Sequence, residues 1–414
     1  MTSLFTPGED VVSKRSVVFH KKNQKLRQVL SYLYQEESCT LAQLAELLYT
    51  SVPSITSLVD ELIEQGWVCT TGTASGNNGR RPVLFSLNPN GQYIIVLDSS
   101  THDTHVMLVN PLRQIVFQRS VDTHLEDNAQ FLPFLASFVR ESVAGSTIDP
   151  KDIIGLGLAI PGLIDARRGL NLTYSNLNLT DQPLTSWLEQ ELGYPVHLIN
   201  DSKATALGEN RFGSAQGKKH ALSINIDWGV GLGIILNGEV FQGASGFAGE
   251  LGHIQIDPDG ELCYCGKVGC LDTVTSASSL VRRVQRAVLD GRMSKLAVYQ
   301  HDVSQITINR VIDAAHAGDS FAIDQLHATG YQLGKGLSVA INLFNPETII
   351  IDGVLAEAST FIINPIEQAI NKYCLSGFRN DLTVEATKLN GAAKWLGTHA
   401  YVMENLMATL QFAD

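Results

Sequence analysis

ELGHIQIDPDGELCYCGKVGCLD, residues 250–272, holds three of the six cysteines in a 414-residue chain. Cys263, Cys265 and Cys270 fall within eight residues, and His253 stands ten residues ahead of the first. Zinc in closed structural sites takes four ligands, drawn mostly from Cys and His. His253, Cys263, Cys265 and Cys270 supply such a set. Gly266 and Gly269 let the loop between the thiolates curl, because glycine reaches backbone conformations closed to other residues. Cys-Tyr-Cys is not the Cys-x-x-Cys spacing of a thioredoxin-like redox pair. The stretch therefore predicts a Zn2+ site, and four protein ligands make it structural, with no open position for a catalytic water.

The chain around it is long enough for two or three domains and for a core without disulfide staples. MTSLFTPGED has no basic start followed by an apolar run, so no signal peptide is expected. No apolar stretch approaches the ~20 residues that cross a bilayer. The expectation is a cytoplasmic protein with no membrane insertion, in a compartment where thiols stay reduced. The net charge of −12 argues against indiscriminate coating of nucleic acid. Residues 1–90, however, balance eight Lys/Arg against eight Asp/Glu, so the whole negative excess lies after residue 90.

The balanced segment reads as residues 1–90 of a winged helix-turn-helix DNA-binding domain. Leu26, Val29, Leu30 and Leu33 recur at helical spacing. Thr40 with Gln43 forms a capping-box pattern before LAQLAELLY. SITSLVDELIEQG places Ile55, Leu58, Val59, Leu62 and Ile63 on one face and ends at Gly66. WVCTTGTASGNNGRRPVLFSLN then reads as two strands around a Gly/Asn-rich hairpin. In this plan the second helix of the pair enters the major groove. It would offer Ser54, Thr56 and Ser57 to bases or phosphates, and the wing would offer Arg80 and Arg81. The basic run from Lys14 to Arg27 is expected to add phosphate contacts.

Residues 91–414 alternate strand-like and helix-like runs. YIIVLDSS, HVMLVN and QIVFQRSVD open one half, and HALSINID, VGLGIILNG and EVFQG open the other. Two lobes that each begin with a three-strand meander and continue βα predict a duplicated α/β domain around a ligand cleft. Lobe one is expected at about 91–200 plus the C-terminal helix 391–414. Lobe two is expected at about 201–390, with the zinc loop at 253–272.

GELGH followed by CYCGKVGCLD closely resembles the signature of the ROK family (repressors, open reading frames, kinases). IPGLID at 160–165, NDSKATALGE at 200–209 and NLFNPETIIIDG at 342–353 resemble further family motifs in family order. The resemblance implies an actin-like, hexokinase/ribonuclease H-like fold and a sugar site. Its sugar-binding residues, matched onto this chain, are Gly162, Asn200, Asp201, Glu250, His253 and Asp272. Asp272 replaces the family's usual Glu and is one methylene shorter. Directional carboxylates and an amide suit a ligand dense in hydroxyls. Lys203 and Arg211 stand nearby in sequence and read as a solvated helix face rather than as phosphate ligands.

Family kinases use the Asn-Asp aspartate as general base, so Asp201 would hold that role in a kinase. The nucleotide side departs from the kinase pattern. Where kinases carry D-x-G-G-T, this chain has Asp98-Ser99-Ser100-Thr101, and where they carry G-T-G-x-G-x-G it has Asp227-Trp228-Gly229-Val230-Gly231-Leu232-Gly233. Asp352-Gly353 replaces a Gly-Gly on the adenosine side. Added carboxylates repel a polyphosphate, and phosphoryl transfer depends on its positioning. The expected protein is a sugar-responsive transcriptional regulator, a repressor by resemblance. Its partners are an operator DNA, a sugar or sugar-phosphate effector and a second copy, as a homodimer or dimer of dimers. Two alternatives stay open: a sugar kinase with an appended DNA module, and a repressor controlled by a sugar-transporter protein.

Overall fold

Leu26, Val29, Leu30 and Leu33 are fully buried on the first helix, α1 (Glu9–Glu36). The computed structural model describes residues 9–74, 81–178, 182–378 and 380–412. After β1 (Cys39–Thr40), Thr40 caps α2 (Leu41–Leu47) as its pattern predicts. Its hydroxyl accepts the Gln43 N–H at 3.2 Å while the Gln43 side chain accepts the Thr40 N–H at 2.8 Å. Ser51 caps α3 (Val52–Glu64). That helix ends at Gly66, whose φ of +76° lets the Trp67 N–H reach back to the Leu62 carbonyl at 2.9 Å. The wing strands β2 (Val68–Thr73) and β3 (Val83–Leu87) pair antiparallel, in sheet order β1-β3-β2. The wing tip, residues 75–80 with Arg80, lies outside the described residues.

The body repeats one topology twice. The first sheet comprises β4 (Tyr93–Ser99), β5 (Thr104–Val109), β6 (Ile115–Val121), β7 (Ile153–Ile160) and, after the short hairpin of β8 (Ile164–Asp165) and β9 (Leu170–Asn171), β10 (Val196–Asn200). Its order is β10-β7-β4-β5-β6. The second sheet comprises β11 (His220–Ile226), β12 (Val230–Leu236), β13 (Glu239–Val240), β14 (Thr348–Asp352) and β15 (Thr383–Ala386), in the order β13-β12-β11-β14-β15. Each has an antiparallel meander of three strands followed by two parallel strands added beside the first, so the predicted duplication is present. Every residue of β4 and β14 is buried, as strands covered on both faces require.

Helices α4 (Phe131–Gly145) and α5 (Leu184–Leu192) cover one face of the first sheet. Helix α6 (Asp201–Phe212) follows β10, and α7 (Asp272–Thr275), α8 (Ala277–Leu289), α9 (Ile308–His316), α10 (Ser320–Phe344) and α11 (Ser359–Tyr373) build around the second sheet. The last helix, α12 (Ala393–Thr409), packs against α6 between the sheets. Glycines permit this close approach. A Cβ at Gly208 would stand 1.9 Å from the Ala393 carbonyl oxygen, and one at Gly397 would stand 1.8 Å from that of Ala204.

The DNA-binding module and the body share one core, in which Leu26, Leu30 and Leu33 of α1 join Ala400, Val402 and Met403 of α12. The Tyr34 hydroxyl hydrogen-bonds His399 Nδ1 at 2.8 Å, both residues buried. The Asn23 side-chain oxygen accepts the Phe412 N–H at 2.8 Å. Arg27, expected to meet DNA phosphates, instead donates to the carbonyls of Leu410 at 2.7 Å and Ala408 at 2.8 Å. The carbonyls at the exposed end of α12 have no intrahelical partner, and a guanidinium fork satisfies two of them. Among the described residues no helix is long and apolar enough to cross a membrane.

Candidate ligand cleft and metal centre

The cysteine loop closes on itself as its glycines suggest. The Cys263 N–H reaches the Lys267 carbonyl at 2.7 Å, and the Gly266 N–H reaches that of Cys263 at 2.9 Å. Gly266 and Gly269 both have positive φ, and a Cβ on Gly269 would lie 1.4 Å from the Asp257 carbonyl oxygen. This fold brings one ligand atom from each of His253, Cys263, Cys265 and Cys270 within 4.8 Å of all the others. Cys263 Sγ lies 3.6 Å from His253 Nδ1, and Cys265 Sγ lies 3.7 Å from Cys270 Sγ. Such a cluster of free thiols and one imidazole can hold a metal ion. His253 presents its other nitrogen, Nε2, to the cleft, 3.0 Å from the Tyr264 hydroxyl and 3.8 Å from Glu250.

A cleft of about 1800 Å³ opens between the two sheets, and Gly162, Asn200, Asp201, Glu250, His253 and Asp272 all line it. The end of β10 and the start of α6 position the Asn-Asp pair. Asn200 is the helix cap: its oxygen accepts the Lys203 N–H at 3.1 Å and its amide donates to the Gly162 carbonyl at 3.1 Å. Asp201 Oδ1 accepts the Ser202 N–H at 2.7 Å, and burial raises the carboxyl above its ordinary pKa. Burial likewise raises Glu250, with Lys203 opposing it. Asp272 is 7% exposed, accepts the Val230 N–H at 2.8 Å, and is pushed by burial up to about 6. One of its oxygens is thus spent on the β11–β12 turn. Lys203 and Arg211 are not solvated: Lys203 is buried with its ammonium on the Gly246 carbonyl, and Arg211 pairs with Glu404 at 2.7 Å and Glu239 at 3.1 Å.

At the other end of the same cleft, the lining side chains contact one another. The β4–β5 turn binds itself, with Ser100 Oγ donating to Asp103 Oδ1 at 2.6 Å and accepting the Asp103 N–H at 3.1 Å. From that turn His102 meets the Trp228 ring of the β11–β12 turn edge-on, centroids 4.1 Å apart. Lys394, in the first turn of α12, pairs with Asp98 at 2.8 Å. Burial works against its ammonium, but Asp98 and Asp227 outweigh it and hold the group above the ordinary lysine pKa. Asp227 accepts the Val354 N–H at 2.8 Å. Asp352 accepts the Gly353 N–H at 2.6 Å and burial pushes it up to about 6. Gly231 and Gly233 serve helix packing, since a Cβ there would lie 1.8 Å from Ser202 Oγ and 2.2 Å from Ala206 Cβ of α6. Lys394 and Tyr264 were not singled out from the sequence. The only signal for Lys394 is a cation at the start of an otherwise apolar helix.

On α3, Ser57 is exposed and Ser54 half-buried, while the Thr56 hydroxyl bonds the Val52 carbonyl of its own helix at 2.9 Å. Arg81 is exposed at the base of the wing, and Lys22 is paired with Glu61 at 2.9 Å.

Residues 94–405 match the profile of the ROK family, and residues 27–81 match that of the MarR family. The chain is 29% identical over 386 residues to a xylose repressor of Caldicellulosiruptor bescii, covering 93% of this chain and 96% of that one. The crystal structure of a ROK family transcriptional regulator, a homologue of the E. coli MLC protein, superposes with a TM-score of 0.77 at 28% identity, over 94% of this chain and 98% of that one. A ROK family glucokinase from Streptomyces griseus, in complex with glucose and AMPPNP, superposes with a TM-score of 0.65 at 28% identity, over 74% of this chain and 97% of that one. With its winged-helix module, its duplicated actin-like body and its cysteine loop, the chain belongs to the ROK family.

Proposed function

We infer that this protein is a sugar-responsive, DNA-binding transcriptional repressor whose cleft is a receptor and not a kinase site. The carrying observation is the lining of the cleft: Asn200, Asp201, Glu250 and His253 line one end, while the other is lined by the carboxylates Asp98, Asp227 and Asp352, the Lys394–Asp98 pair and the His102–Trp228 contact, a poor seat for a polyphosphate. The names of its relatives, a xylose repressor and a ROK transcriptional regulator, support the same reading. In this account Gly162, Asn200, Asp201, Glu250, His253 and Asp272 hold the sugar. Zinc is the metal of His253, Cys263, Cys265 and Cys270, because soft thiolates with one imidazole suit it, and its role is to fix the loop that aims His253. Ser54, Ser57, Arg81 and Arg80, the last outside the described residues, meet operator DNA, and Thr56 shapes the helix start. The protein works in the cytoplasm as a dimer or dimer of dimers, whose two-fold spacing matches paired half-sites. A ligand that binds one cleft geometry better than the other shifts that spacing.

The test starts from DNA selected from a random pool by the full-length protein. Sugars are then titrated into the complex while DNA release is followed by fluorescence anisotropy. The reading predicts release by a monosaccharide. No response to any sugar, with release on adding a transporter domain, would favour the protein-controlled alternative. Coupled ATP consumption with sugars would favour a kinase.

A further inference from the structure

The charge lining the cleft narrows the chemistry of the effector, on the reading that the cleft binds a sugar. A phosphate on a sugar carries between one and two negative charges at neutral pH and is held by Arg or Lys or by free backbone N–H groups. Beyond Asp201, the cleft meets Asp98, Asp103, Asp227 and Asp352, with Lys394 among them and His105 paired to Asp103 at 2.9 Å. Lys394 is already engaged by Asp98, and Asp98 Oδ1 and Asp352 Oδ2 are buried without a hydrogen-bond partner. At the metal-loop end, Arg282, the other lysine or arginine lining the cleft among the described residues, lies 3.8 Å from Glu261. Helix α6 points its start into the cleft, but Asn200 and Asp201 already take its first N–H groups. The start of α12 has no side-chain cap, yet its first turn carries the Lys394 that Asp98 holds. We propose that the effector is an uncharged, unphosphorylated monosaccharide, and that the carboxylates beyond Asp201 reject sugar phosphates.

Isothermal titration of the full-length, metal-loaded protein tests this with D-xylose and with matched pairs: glucose and N-acetylglucosamine against their 6-phosphates. The expected result is binding of at least one free sugar, with phosphates of the pairs at least 100-fold weaker than their parents or silent. Replacing Asp98 (Asp98→Asn) is expected to narrow that gap at least tenfold. A 6-phosphate that binds as tightly as its parent, or more tightly, overturns the proposal while leaving the sugar-sensor reading intact. Silence of both series overturns the sugar-sensor reading and the proposal with it.

A separate observation concerns Tyr264, between two metal-loop cysteines. Its side chain is 76% exposed at the lip of the cleft, and its hydroxyl lies 3.0 Å from His253 Nε2, the imidazole nitrogen that faces the cleft. The rings meet edge-on with centroids 5.1 Å apart. Because Cys263 and Cys265 pin the backbone on either side, the Tyr264 side chain can leave without disturbing the loop. We infer that Tyr264 is a specificity-determining gate. Its phenol occupies the hydrogen bond a sugar hydroxyl would make to His253, and the ring then lies along the sugar's apolar face. Y264F removes the competitor but keeps the ring, so it is expected to bind the effector three- to tenfold more tightly, whereas Y264A binds it at least tenfold more weakly, with the unfolding temperature unchanged in both. Equal weakening in Y264F and Y264A, or no change in either, overturns the gate.

Discussion

The two ends of the cleft use the same residue types to opposite effect. At the metal-loop end, Glu250 and His253 line the cleft, with the Tyr264 hydroxyl on His253 Nε2, backed by a loop that four metal-ligand side chains can lock. At the far end, Asp98, Asp103, His102 and Trp228 bond one another or Lys394 and Ser100. Carboxylates gathered around one already paired ammonium repel a polyphosphate, so charge sets the far end apart from the metal-loop end.

The largest effect should come from the metal loop. Ions at a thousandfold over Kd stabilise by about 4 kcal/mol, and each kcal/mol moves Tm by roughly 1–2 °C in a body of more than 300 residues. Chelation, or C270S, should therefore lower Tm by about 4–8 °C and abolish sugar binding; calorimetry with metal analysis checks both. Next comes Asp201. Removing a charged hydrogen-bond partner costs about 1.5–3 kcal/mol, so D201A should weaken sugar binding by about 10–150-fold and leave DNA affinity unchanged. A matching loss of DNA affinity would show that Asp201 supports the fold and not the ligand.

A third prediction concerns α12, which places Lys394 in the cleft and carries the joint to the DNA-binding module. Burial, with Arg113 adding to it, lowers the His399 pKa from 6.5 to about 3. Between those values the unfolded imidazole binds a proton that the folded one does not. Stability is therefore fully present above pH 6.5 and falls as the pH drops. At pH 5.5 the loss should be about 1.4 kcal/mol, seen in urea midpoints and absent in H399Q. The smallest effect belongs to the aromatic contact: W228A should lose about 0.5–1.5 kcal/mol of stability and leave sugar affinity unchanged. Gain of nucleotide binding by W228A would show that the ring alone keeps nucleotide out of that end.

Much of this was legible in the sequence because it rests on local chemistry. The capping box at Thr40, the Gly66 stop and the metal loop are each set by residues within about twenty positions of one another, and the meander-plus-βα rhythm revealed the duplication. Helices α5, α8 and α11 and strand β15 went unmarked. They lie between stronger signals, and α11 contains Pro365, which argues locally against a helix. Long-range partners were invisible. Arg27 reads as a phosphate ligand until the end of α12, 381 residues away, is seen to occupy it. Lys394 draws no notice in the sequence, and only the fold surrounds it with Asp98 and Asp227. Asp272 reads as a ligand group, yet one of its oxygens anchors the Val230 turn.

The most direct test of a cleft that takes a sugar and no nucleotide is calorimetric titration of the full-length protein with Mg2+ and AMPPNP in the presence of its sugar. The account predicts heat from the sugar and none from the nucleotide at millimolar concentration. Micromolar nucleotide binding, stoichiometric and displaced by ATP, would contradict it.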